Sequence, residues 1–96
     1  MTQLEKVRKE RDRILTLAAK HGARNVRIFG SVARGEERED SDIDFLVEMA
    51  PDRSLMDIGG LQMDLQETLA HRVDVVTRKG LKRRLLSRVL RESKAL

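Results

Sequence analysis

The chain has 96 residues, a formal net charge of +4 and a predicted pI of about 10, which sets it at the scale of one domain, residues 1–96, burying roughly 60–65% of its unfolded surface. It has no cysteine, which excludes disulfides and thiolate metal sites and suits a reducing cytosol. No apolar run approaches the roughly 20 residues of a membrane span, and the opening MTQLEKVRKERDR lacks the marks of a secretory signal, so a cytoplasmic protein is expected. The cationic excess suits anionic partners. However, Phe29 and Phe45 are the only aromatics, which counts against a platform that stacks single-stranded bases.

In chain order, Thr2 and Glu5 have capping-box spacing. Leu4, Val7, Ile14, Leu15 and Ala18 recur at helical intervals until Gly22 offers a stop. This predicts one helix over about residues 3–21. Val26 to Phe29 is a short β-prone run ending at Gly30, and Ser31–Arg34 fits the first turn of a short helix closed by Gly35. Glu36–Ser41 reads as a loop, Ile43–Val47 as a second strand, and Pro51-Asp52 as a turn. Leu55, Ile58, Leu61, Leu65 and Leu69 outline an amphipathic helix. Gly59 and Gly60 interrupt it at about 1 kcal/mol each, either to let it lie close to a sheet or to bend it. Val73–Thr77 is a third strand, and Leu81, Leu85, Val89 and Leu90 mark a final helix over Leu81–Leu96. The order αβ(α)βαβα predicts an α+β fold with helices packed on a small mixed sheet.

The chemistry-bearing residues sit at strand ends. A strand that stops at Gly30-Ser31 before a helical turn points backbone N–H groups at a site that attracts phosphate, although a Gly-Ser pair alone is equally an ordinary turn. Asp42 and Asp44 are two residues apart at the head of a β-prone run. On a strand they share a face, with Cα atoms roughly 7 Å apart, and their carboxylates could share divalent cations such as Mg²⁺. The competing possibilities are that Asp42 merely caps a turn and that Asp44 faces water. Asp74 repeats the pattern inside Val73-Asp74-Val75-Val76. If its strand lies beside the second one, three carboxylates converge, enough to hold two metals that clamp a triphosphate and activate a hydroxyl.

Gly30-Ser31-Val32-Ala33-Arg34-Gly35, Ser41-Asp42-Ile43-Asp44-Phe45-Leu46-Val47 and Val73-Asp74-Val75-Val76 together resemble the minimal nucleotidyltransferase (MNT) family, a branch of the DNA polymerase β-like nucleotidyltransferases. The resemblance runs from about Val26 to Thr77. It implies the nucleotidyltransferase fold and nucleotidyl transfer from ATP with Mg²⁺, two ions being expected. By the same resemblance Gly30 and Ser31 hold the β- and γ-phosphates, Asp42 and Asp44 ligate both metals, and Asp74 helps hold the catalytic metal and acts as base. Arg34 matches an arginine of the motif, either on phosphate or supporting the loop. Small free-standing members of the family are antitoxins paired with HEPN-domain toxins, which they modify by transferring AMP to a tyrosine. The resemblance therefore implies a HEPN toxin as partner, with assembly into a homo- or hetero-oligomer open. This chain has no tyrosine, in keeping with an acceptor on another chain.

Other features weigh less. Residues 81–96 carry six cationic side chains against Glu92, either a solvated helical face or a surface for an acidic partner or RNA. Glu36, Glu37, Arg38, Glu39 and Asp40 read as a solvated loop, because an inward acidic loop would oppose ATP. His21 and His71 fall near helix ends and take no catalytic role. Two rivals to the enzyme stand: a binding module that neutralises its partner by contact alone, and a basic nucleic-acid binder. Scarce aromatics make the second the weakest.

Overall fold

The computed structural model describes residues 1–38 and 40–96. Thr2 caps the first helix, α1 (Gln3–Lys9): its hydroxyl accepts the Glu5 N–H at 3.1 Å, and the Glu5 carboxylate accepts the Thr2 N–H at 3.4 Å. The single helix expected over residues 3–21 bends at Glu10 (φ −95°, ψ 15°), where α1 gives way to α2 (Arg11–Lys20). Helical hydrogen bonds continue across the bend, from Glu10 N–H to Lys6 and from Ile14 N–H to Glu10. Residues 8–13 are all charged, so no apolar contact holds the axis straight there. The bend lets Val7 and Ile14 both reach full burial.

Strand β1 (Ala23–Phe29) begins three residues earlier than its β-prone core, because Ala23 and Arg24 pair with Met49 and Glu48. Tertiary pairing here overrides weak local propensity. A bulge at Asn25 (φ 52°) lies between the paired positions Arg24 and Arg27. Then come α3 (Gly30–Arg34), closed by left-handed Gly35, β2 (Ile43–Met49), α4 (Leu55–Leu69), β3 (Val73–Thr77) and α5 (Arg83–Glu92). Pro51 and Asp52 form the expected turn. Helix α4 runs unbroken through Gly59 and Gly60. A Cβ at Gly59 would meet nothing, whereas one at Gly60 would lie 2.8 Å from the His21 ring, so the second glycine admits the end of α2 and not the sheet.

The final helix is shorter than expected. It stops at Glu92, Ser93 turns extended, and Lys94–Ala95 form a fourth strand, β4, beside Ile28 and Arg27. The Ser93 hydroxyl accepts from Arg27 Nε and donates to the Leu90 carbonyl, which fixes the turn. The mixed sheet has the order β3-β2-β1-β4, with β2 and β3 parallel and the other pairs antiparallel. Helices α2 and α4 pack on the strands and on each other. Ile14, Ile28, Phe45, Leu61, Leu65 and Leu69 lie in that core at no more than 1% exposure. Strand alternation then puts Asp44 on the face opposite Ile43 and Phe45. Among the described residues no helix is long and apolar enough to cross a membrane.

Candidate active site

One transverse row at a sheet end organises the site. Phe29, the last residue of β1, pairs with Asp44 of β2, and Asp44 pairs with Asp74 of β3. The condition set by the sequence, that the third strand lie beside the second, is therefore met. Gly30 follows Phe29 at φ +77°, and a Cβ built there would collide with the Asp44 carboxylate. Glycine is required by this close approach and by the left-handed backbone together. Buried Val32 and Ala33 anchor α3, and Ser31, half-buried, stands in its first turn. Phe29, at the N-cap, offers no side-chain acceptor, so the first N–H groups of α3 have no side-chain cap.

The carboxylates differ in setting. Asp44 is half-buried, and burial pushes its pKa up to about 6, with the charges of Asp74 and Asp42 adding to the effect and Arg34 opposing it. Asp74 is exposed. Asp42 stands one residue before β2 and not within it, exposed and ion-paired with Arg72 (Nε to Oδ1, 3.0 Å). A guanidinium N–H of Arg72 also donates to the Asp40 carbonyl, the Arg72 carbonyl accepts the Ile43 N–H at 3.0 Å, and His71 Nε2 meets the Ser41 carbonyl. The segment before β3 is thus stapled to the segment before β2, which fixes where Asp42 points. Arg72 was not singled out in the sequence. Aligning the two strands on Asp44 and Asp74 would have revealed it, since the residues two before each acid are Asp42 and Arg72.

Arg34 is exposed and joins Glu36 (3.0 Å) to Glu92 (3.3 Å), and these acids, the Glu36 hydrogen bond foremost, raise its pKa. It ties the loop to α5 while its charge reaches Asp44. Glu36 is solvated as expected. Glu37 is instead half-buried and accepts the Gln3 N–H at 3.0 and 3.1 Å, so the loop is fastened to α1. Glu39 lies outside the described residues. His21 pairs with Asp64 at 2.6 Å beside Gly60, and that hydrogen bond lowers the Asp64 pKa. Neither histidine belongs to the row.

The donor set suits a hard divalent cation. Among the described residues no three His, Asp or Glu side chains close into a metal cluster by themselves. Mg²⁺ does not require one: it commonly takes one or two carboxylates, with substrate phosphates and water completing the shell. Adjacent acids, one of them pressed toward neutrality, sit beside a glycine turn whose backbone lies against the Asp44 carboxylate. That combination can hold a metal–polyphosphate and accept a proton.

Residues 4–96 match the family model for the nucleotidyltransferase domain. The protein adenylyltransferase MntA of Thermococcus cleftensis is 41% identical over 76 residues, which cover 79% of this chain and 77% of that one. A solved structure of a provisionally assigned minimal nucleotidyltransferase superimposes with a TM-score of 0.90 at 50% identity, covering 100% of this chain and 97% of its own. A mutant of the MntA–HpeT toxin–antitoxin complex contains a chain with a TM-score of 0.74 at 25% identity, covering 90% of this chain and 70% of that one.

Proposed function

The chain belongs to the nucleotidyltransferase domain family, and from that premise we propose that it is a Mg²⁺-dependent protein adenylyltransferase. In this reading it moves AMP from ATP to a tyrosine hydroxyl of a HEPN-type toxin and so acts as the antitoxin. The carrying observation is the row Phe29–Asp44–Asp74 with Gly30 folded against Asp44. The relative named as a protein adenylyltransferase and the likeness to a chain of a toxin–antitoxin complex support the class of acceptor.

Gly30 and Ser31 bind the β- and γ-phosphates through backbone N–H groups and the serine hydroxyl. Asp42, Asp44 and Asp74 would hold the magnesium, two ions being expected. Bound there, magnesium would supply charge to offset the triphosphate and to make the acceptor hydroxyl more acidic. The hydroxyl oxygen bonds to the α-phosphorus while the bond to the β-phosphate's bridging oxygen breaks. Pyrophosphate leaves, and the Asp74 carboxylate takes the hydroxyl proton. Arg72 positions Asp42 for this work, and the two ion pairs of Arg34 favour a loop-supporting role over direct phosphate contact. With no tyrosine in the chain, a tyrosine acceptor belongs to the partner.

Incubating the folded protein with labelled ATP, Mg²⁺ and the co-encoded HEPN protein is expected to label a tyrosine of that partner. Asp44→Ala is expected to abolish labelling while leaving the circular dichroism spectrum unchanged, because it removes a ligand and not a core contact. An unlabelled partner, with wild-type protein shown to be folded, overturns the enzymatic reading. Neutralisation by contact alone is the second reading, favoured by the exposure of Leu55, Met56 and Met63 on α4. It requires that a variant lacking all three acids still neutralises.

A further inference from the structure

The sheet has a second charged end. Roughly 13 Å along the strands from Asp44, a cleft of about 490 Å³ opens where β1 begins and β2 and β3 finish. That volume falls in the range of small-molecule sites. Met49, Pro51 and Ile58 line it together with four cations, Arg24, Arg53, Arg78 and Lys79, and one acid, Glu48. Arg53 is already engaged by Asp57 at 3.2 Å. Arg24, Arg78 and Lys79 form no salt bridge among the described residues.

Glu48 is the natural counterion for Arg24, its cross-strand partner. The pair does not form, and a bulge begins at the next residue. Asn25, at φ 52°, turns its amide onto one oxygen of the Glu48 carboxylate, and Arg24 forms no ion pair with that acid. Bulges re-aim side chains and recur beside functional sites. Backbone hydrogen bonds from Ala50 N–H to Gly22 and from Arg78 N–H to Val47 hold the rim in place. A cleft with apolar walls, whose three cations free of salt bridges outnumber its single acid, suits an anion with an apolar part.

We propose that this cleft is a second anion site that takes a phosphate-bearing small molecule of nucleotide size, its phosphates among Arg24, Arg78 and Lys79 and its apolar part against Met49, Pro51 and Ile58. The site is separate from the carboxylate row and does not depend on the transfer reaction. It is tested with ¹⁵N–¹H spectra of the full chain titrated with ADP in EDTA, so that no metal loads the row. Saturable shifts are expected at Met49, Thr77, Arg78 and Lys79. The pair R24E/R78E should weaken them by about tenfold or more, with any shifts at Gly30–Arg34 unchanged. R78Q, which removes one charge without reversing it, is expected to give a smaller loss in the same direction, and dispersed spectra verify folding. The proposal is overturned if only Gly30–Arg34 respond, if the far-end shifts survive R24E/R78E, or if RNA oligomers shift those amides while ADP does not.

Discussion

Asp44 is an acid held where its charge is resisted. Its folded pKa, about 6, lies above its ordinary value of 3.8, so between those values the folded chain binds more protons than the unfolded one. Stability from this residue is fully present below pH 3.8 and is lost as pH rises through about 6. In EDTA, Asp44→Asn is expected to unfold at higher urea than wild type at pH 7.5, by about 1–2 kcal/mol after allowing for solvent screening, and to flatten the pH dependence between pH 4.5 and 7. A parallel dependence in both proteins refutes this. Gly30→Ala drives a methyl into the same carboxylate on a left-handed backbone. It should cost about 1–3 kcal/mol in a denaturant titration and remove transfer activity. At this scale the acids and Gly30-Ser31 were legible from alternation and motif. Asp42's ion pair with Arg72 was not, because it depends on the register of two strands thirty residues apart in sequence.

Among the elements, α4 shows two adjacent glycines with opposite duties. At Gly59 an added Cβ meets open space, and at Gly60 it meets the His21 ring. Gly59→Ala is therefore expected to stabilise by about 0.5–1 kcal/mol through helix propensity, and Gly60→Ala to destabilise by displacing His21 from Asp64. Thermal unfolding of the two variants should move in opposite directions, and a rise in both would contradict the packing account. Local pattern found the six elements from β1 to α5, through β-prone runs, apolar residues at helical spacing and the glycines that bound α3. It missed the bend at Glu10, where charged residues leave no pattern to read, and it missed β4, a two-residue strand, Lys94–Ala95, defined wholly by its partner.

Across the whole molecule, the sheet carries an acidic row at one end and a basic cleft at the other. The sequence foretold the mixed sheet, and it left the adjacency of the second and third strands as a condition that the structure meets. It did not foretell the β3-β2-β1-β4 order, which rests on long-range pairing. β4 covers the edge of β1, and Leu96 adds a hydrogen bond to the Val26 carbonyl. Removing residues 93–96 should lower the unfolding midpoint and, by baring a strand edge, give concentration-dependent light scattering. A monodisperse truncation with an unchanged midpoint contradicts that role. The same short strand bears on synthesis. The Phe29–Asp44–Asp74 row draws on strands that end at residue 77, but the outer edge of β1 is covered by a segment translated almost seventy residues after its own. A chain cut short before residue 94 leaves that edge of β1 bare, so the codons for residues 93–96 decide whether the sheet is closed or adhesive there.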